Sequence, residues 1–206
     1  MKLGGKAILD QFSTGNWSAL RGDTPIPVDE LEVIVGPNSV DVTLHPTLLA
    51  PVADWVVNPR DAASLAWRPI EIPAEGYVLQ PREFLLGAVR ERFVCSRQAP
   101  LRDFNVDRGD ATQRFGLFAP MYEGRSTCGR LGLASHVTAG FGDYGFSGSF
   151  TLEIVNHAPF GIRLFPGMRI GQVAFEHVVS PKLYQGAYSA GHNDGPVPPQ
   201  LGPTRF

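Results

Sequence analysis

Residues 142–156, GDYGFSGSFTLEIVN, decide the fold. From Ser149 onward the side chains alternate. Phe150, Leu152 and Ile154 share one face, and Ser149, Thr151, Glu153 and Val155 share the other. A period of two is the signature of a half-buried strand. The glycines and Asp143 just before it supply a turn, with the aspartate placed to bond its own backbone. Glu153 stands in the middle of this strand among apolar residues. A strand glutamate ordinarily faces water. The functional reading is a carboxylate held in a pocket, able to take a proton from water.

The segments around it follow the same pattern. Strands are expected near 134–138, 150–155, 162–164 and 170–175, with a type II turn at FPGM, residues 165–168. Upstream, NSVDVTLHP alternates Val40, Val42 and Leu44 with Asp41 and Thr43, and EGYVLQPREFLLGAVRERFVC predicts two strands around Pro81. KAILDQFSTG puts Ile8, Leu9 and Phe12 on one helical face and ends at Gly15. Residues 46–76 and 96–118 lack a clear period and read as excursions, the first with little regular structure. The tail from residue 184 is rich in Gly and Pro. The expectation is one mainly β domain over residues 1–183, a distorted antiparallel barrel or jelly roll with a few short helices.

The composition narrows the function. The 206 residues are 43% hydrophobic, enough for a sizeable core, and 23 Gly with 18 Pro favour turns and short strands over long helices. A net charge of -2 argues against a nucleic-acid-binding face. Cys95 and Cys128 do not form a CxxC pair, so neither a disulfide framework nor a structural zinc site is expected. No apolar run suits a signal peptide or a membrane span. Together these predict a cytoplasmic protein that keeps its thiols reduced.

EGRSTCGRLGL, residues 123–133, carries Ser126 at the expected start of a helical turn, where its hydroxyl could cap free amides. Arg125 and Arg130 flank that turn, and arginines beside a hydroxyl and exposed amides suit phosphate. Taken alone, the stretch reads first as an ordinary capped turn with solvated arginines. His45, His136, His157, His177 and His192 are scattered, with no pair at helical metal-site spacing and no HxE…PCxxC element. Zinc-dependent nucleobase deamination is therefore not expected.

EGRSTCGRLGL, SHVTAGFGDYGFSGSFTLEIVN and LFPGMRIGQVAFE occur in this order at close spacing. Together they resemble the dCTP deaminase family of the trimeric dUTPase superfamily. NSVDVTLHP and EGYVLQPREFLLG look like its two N-terminal motifs, and YQGAYSAGHNDGPV like a loosened form of its C-terminal segment. The resemblance implies a dUTPase-like fold and a homotrimer with shared active sites. It implies metal-free hydrolytic deamination of dCTP to dUTP and ammonia, with Mg²⁺ carried by the triphosphate and no zinc. Glu153 matches the family's catalytic glutamate, Arg130 would position the water and the glutamate, and Ser126 would contact the nucleotide. Arg125 and Gln172 would bind phosphate, and Asp143 the deoxyribose 3′-hydroxyl. Phe146 would exclude a ribose 2′-hydroxyl. The backbone of His136, Val137, Thr138 and Ala139 would read the base, while the tail, with Tyr184 and Tyr188, would close over the nucleotide.

Three departures stand out: Ala187 where the family has lysine, Cys128 where an aliphatic is usual, and GDYG, with Tyr144, where IDPG is usual. Within the superfamily, Glu153 favours a deaminase over a plain dUTPase. A bifunctional enzyme giving dUMP ranks close behind, since GRLGL…TAGF and GMRIGQ look closer to that branch and Asp143 also matches the aspartate with which dUTPases activate water. A dUTPase without deaminase activity comes third. A non-catalytic nucleotide-binding β module is the reading from another class.

Overall fold

The computed structural model describes residues 2–53, 56–95, 118–138, 140–178, 184 and 195–199. In chain order the elements are α1 Gly5–Ser13, β1 Trp17–Arg21, β2 Thr24–Pro25, α2 Val28–Ile34, β3 Val40–Thr43 and β4 Thr47–Val52. A 3-10 turn at Pro59–Ser64 follows, then β5 Ala66–Glu71, β6 Tyr77–Leu79, β7 Phe84–Ala88 and β8 Glu91–Cys95. The second half holds β9 Phe118–Gly124, α3 Ser126–Arg130, β10 Leu133–Ala134, β11 Ser147–Gly148, β12 Thr151–Asn156, β13 Ile162–Leu164 and β14 Arg169–His177.

All described pairings between strands are antiparallel. They make four sheets, ordered β11-β8-β1-β2, β10-β12-β7-β4-β5, β13-β6 and β3-β14-β9. The mainly β expectation holds, with several small sheets sharing one core rather than a single closed barrel. Leu152, Ile154 and Asn156 of β12 are fully buried, while Thr151, Glu153 and Val155 are half-buried. The alternation predicted for this strand is therefore real. Phe12, Trp17 and Phe93 pack around Phe175, with ring centroids 5.1–6.0 Å from it, and tie α1 to three strands. Among the described residues, no helix is long and apolar enough to cross a membrane.

Four local expectations need correction. Residues 47–71 are not a structureless excursion. β4 and β5 form a hairpin that extends the β12–β7 sheet, with Leu48 and Ala50 turned inward. Pro51 and Pro69 obscured the period, and the second lies on an edge strand, where a missing N–H costs no ladder bond. The run on either side of Pro81 gives three strands rather than two. At Val89 and Arg90 the backbone changes partners, donating to Phe150 O (3.0 Å) and Thr43 O (2.8 Å). There the chain passes from one sheet to another, a corner that period alone does not reveal.

The strand expected at 134–138 stops at Ala134. The next amides turn away to bond a side chain described below. Ser126 is not the N-cap of α3. Arg125 holds that extended position (φ -79, ψ 137), no side chain caps the turn, and Ser126 already sits inside it. The excursion at 96–118 lies outside the described residues except for Phe118, which begins β9.

Candidate functional site

Two cavities flank the segment from Ser135 to Gly142. The first, of about 470 Å³, is lined by Asp41, Arg125, Ser126, His136 and Gln172 among others. The second, of about 390 Å³, is lined by Asp143, Phe146, Ser149, Glu153 and Tyr184, with Val197 and Pro199 of the tail. Ser135 and His136 face the first cavity, while Phe141 and Gly142 face the second. This segment is therefore the wall between them.

Glu153 explains why that wall is not a strand. Its Oε2 accepts hydrogen bonds from the backbone N–H of Val137 (2.7 Å) and Thr138 (2.9 Å). The backbone thus fixes Oε2, while Oε1 has no hydrogen-bond partner among the described residues. Glu153 pairs in register with Leu86 of β7, a central strand of its sheet, which makes its mounting rigid. Phe146 stacks on Phe150 at 4.6 Å and presents an apolar surface beside Asp143. The Asp143 carbonyl accepts the N–H of Phe146 (3.0 Å), closing the predicted turn over Gly145, whose φ of +87° suits glycine.

The tail reaches the second cavity in this same chain. The Tyr184 N–H donates to the carbonyl of Tyr144 (3.0 Å), and the Val197 N–H donates to Thr151 Oγ1 (3.2 Å). Tyr144, a departure from the family pattern, thus offers its backbone as a docking point. Burial, followed by the electrostatic effect of Cys95, raises its phenol above the ordinary tyrosine range.

The first cavity is built on a cross-strand row. Gln172 of β14 faces Asp41 of β3 on one side and Glu123 of β9 on the other. Asp41 Oδ2 lies 2.7 Å from Arg125 Nη1 and 3.3 Å from Arg169 Nη1. Arg125 Nη1 is close to Asp41 but not aligned for a hydrogen bond, so this contact is electrostatic. The His136 side chain lies against Tyr122, whose hydroxyl donates to Ser135 Oγ (2.8 Å). Burial pushes the Tyr122 phenol strongly up, so it stays a donor. The Tyr122 ring lies so close to Gly171 that a Cβ there would overlap it, which explains a glycine inside β14.

The expected residues thus divide into two groups. Glu153, Asp143, Phe146 and Tyr184 line one cavity, with the amides of Val137 and Thr138 beside them. Arg125, Ser126, His136 and Gln172 line the other. Arg130, at the exposed end of α3, lines neither cavity and has no described contact with Glu153. Ala139 and Tyr188 lie outside the described residues. Sequence reasoning missed Asp41, which lines the first cavity. The polar face of NSVDVTL, which alternates against Val40 and Val42, was the available signal.

The residues 110–178 match a family model described as dCTP deaminase-like. The fold is shared with the 2′-deoxycytidine 5′-triphosphate deaminase of Agrobacterium tumefaciens, at a TM-score of 0.58 and 18% identity over 86% of this chain. This chain spans about half (48%) of the length of that one. A Beutenbergia cavernae protein named "dCTP deaminase, dUMP-forming" is 35% identical over 176 residues, covering 84% of this chain and 81% of its own. A Coprothermobacter proteolyticus protein of the same name is 37% identical over 172 residues, covering 80% and 81%. The chain belongs to the dCTP deaminase family.

Proposed function

We propose that this protein deaminates dCTP and carries the product on to dUMP, with Glu153 as the deamination base. The carrying observation is the Glu153 carboxylate, fixed through Oε2 in a cavity wall that also presents Asp143 and Phe146. Water adds to C4 of the cytosine as Oε1 takes its proton. The tetrahedral carbon then expels ammonia as the carboxylic acid returns that proton to the amine. One carboxylate serves as base and then as acid. The two backbone amides hold the group in place through both steps.

The names of the relatives support the dUMP-forming reading over simple release of dUTP. In the second step water attacks the α-phosphorus and diphosphate leaves, giving dUMP. Asp143 is the carboxylate available to orient that water.

A triphosphate calls for more positive charge than the described lining of the first cavity offers. In the first cavity Asp41 offsets much of the charge of Arg125. Among the described residues no three His, Cys, Asp or Glu side chains cluster as a metal cage. Mg²⁺ held by the nucleotide's own phosphates would offset their charge. Ser126 and Glu153 line different cavities, and Arg130 lies exposed. We therefore propose a homotrimer in which Arg130 and Ser126 of one copy complete the Glu153 site of the next.

Incubation with dCTP and Mg²⁺ should release ammonia and diphosphate in equal amounts and yield dUMP. Ammonia without diphosphate would leave the simple deaminase standing. If no deoxycytidine nucleotide yields ammonia, the proposal fails. Glu153→Gln should lower ammonia release by about 10²- to 10⁴-fold while nucleotide binding persists.

A further inference from the structure

The charge that Gln172 shows a ligand depends on which way its carboxamide is turned. The oxygen accepts and the NH₂ group donates, so one face attracts a phosphate oxygen and the other repels it. The choice is made outside the cavity. Ser39 Oγ donates to Gln172 Oε1 at 2.7 Å. Ser39 does not line the cavity, whereas Gln172 does. Gln172 stands opposite Asp41 in the β14–β3 ladder, which makes Ser39 its diagonal neighbour on the same face.

With the oxygen held by Ser39, the NH₂ group projects away from it. Among the described residues that nitrogen has no acceptor. The Asp41 carboxylate beside it works in the same direction, because it repels the carboxamide oxygen and tolerates the NH₂ group. Ser39 is itself fixed, since its carbonyl accepts the N–H of Gly36 (2.8 Å).

We propose that Ser39 is a positioning residue that locks the Gln172 carboxamide with its NH₂ group toward the first cavity, as a preset donor to a phosphate oxygen. This rests on the reading that the first cavity takes the nucleotide's phosphates. Without the Ser39 hydroxyl the carboxamide is free to rotate, and binding must select the correct face.

The test is dCTP binding in the presence of Mg²⁺, measured by calorimetry. The chains compared are the natural protein, Ser39→Ala, Ser39→Thr, Gln172→Ala, Gln172→Glu, Arg125→Ala and the double variant Ser39→Ala/Gln172→Ala, with thermal melts alongside. Ser39→Ala should weaken binding about fivefold to tenfold, the scale of one hydrogen bond. It should add nothing in the Gln172→Ala background, and Ser39→Thr should restore most of the loss. Equal weakening by Ser39→Ala in both backgrounds would mark a merely structural serine and overturn the proposal, as would unchanged binding in Ser39→Ala.

Gln172→Glu keeps Ser39 intact and gives a check that does not depend on Ser39→Ala folding. It should bind dCTP less well than Gln172→Ala, because the second carboxylate oxygen then faces the cavity. Binding equal to or tighter than that of Gln172→Ala would count against the orientation. The two ideas fail differently. If Arg125→Ala and Gln172→Ala both bind dCTP normally, the phosphate reading of the cavity falls. If they weaken it and Ser39→Ala does not, only the role of Ser39 falls.

Discussion

Two strand glutamates show how far one residue type can diverge with its surroundings. Glu153 is half-buried, accepts two backbone amides and faces a cavity. Glu91 is fully buried and accepts the Thr43 N–H (2.8 Å), the Thr43 hydroxyl (2.9 Å) and Arg21 Nε (3.3 Å). Burial alone would lower the pKa of Arg21, but Glu30 and Glu91 outweigh it and hold the guanidinium above its ordinary value. Glu91 is thus the knot joining α2, β1, β8 and β3, and it touches neither cavity lining. Glu91→Ala should cost about 2–3 kcal/mol, because it leaves the Thr43 amide and hydroxyl without their acceptor and takes one of the two carboxylates from Arg21. A denaturation midpoint close to that of the natural protein would contradict this.

At the scale of elements, the turn between β6 and β7 carries a strained residue and a titrating clasp. Arg82 adopts a positive φ of +67°, and its N–H donates to Asn156 O (2.8 Å), which pins the turn to the end of β12. The Tyr77 hydroxyl donates to Glu83 Oε1 across the same turn, and Glu83 Oε2 accepts the Gln80 N–H (2.7 Å). Burial, followed by the hydrogen bond to Glu83, pushes the Tyr77 phenol up to about 12. The protonated phenol is the form that the fold favours. The clasp is therefore fully present below about pH 10, the ordinary tyrosine value, and is lost as pH rises through about 12. Tyr77→Phe should lower stability by about 1 kcal/mol at neutral pH. Its difference from the natural protein should shrink in urea melts taken toward the alkaline end. A constant difference from pH 8 to 12 would assign the loss to packing instead.

In the whole molecule, Arg130 and Glu153 stand apart. Arg130 is exposed and does not line the Glu153 cavity, and the proposed trimer brings the two together from different copies. Glu153→Gln and Arg130→Ala chains should each be nearly inactive as pure proteins. Mixed under conditions that exchange subunits, they should regain activity at about a quarter of the sites, as random assortment around a closed ring gives. No recovery despite proven exchange would place both residues in one chain's site. A mass of one chain in solution would remove the trimer altogether.

The local pattern of hydrophobic and turn residues determined much of this protein. Strict alternation marked β3 and β12, and the helix stop at Gly15 (φ +73°) was legible because only a few residues suit such a turn. The ordered motifs carried the family, and with it Glu153, Asp143 and Phe146 as neighbours in one cavity. Tertiary structure decided what depends on distant partners. The hairpin of β4 and β5 exists because β7 offers an open edge, which prolines in its own sequence do not announce. The end of β10 follows from Glu153 capturing the amides of Val137 and Thr138, a competition that no window of local sequence contains. The link from Ser39 to Gln172 spans 133 positions and became visible only when β3 paired with β14. Periodicity reports which face of a strand is wet, whereas a site depends on which wet faces meet, and only the folded chain fixes that.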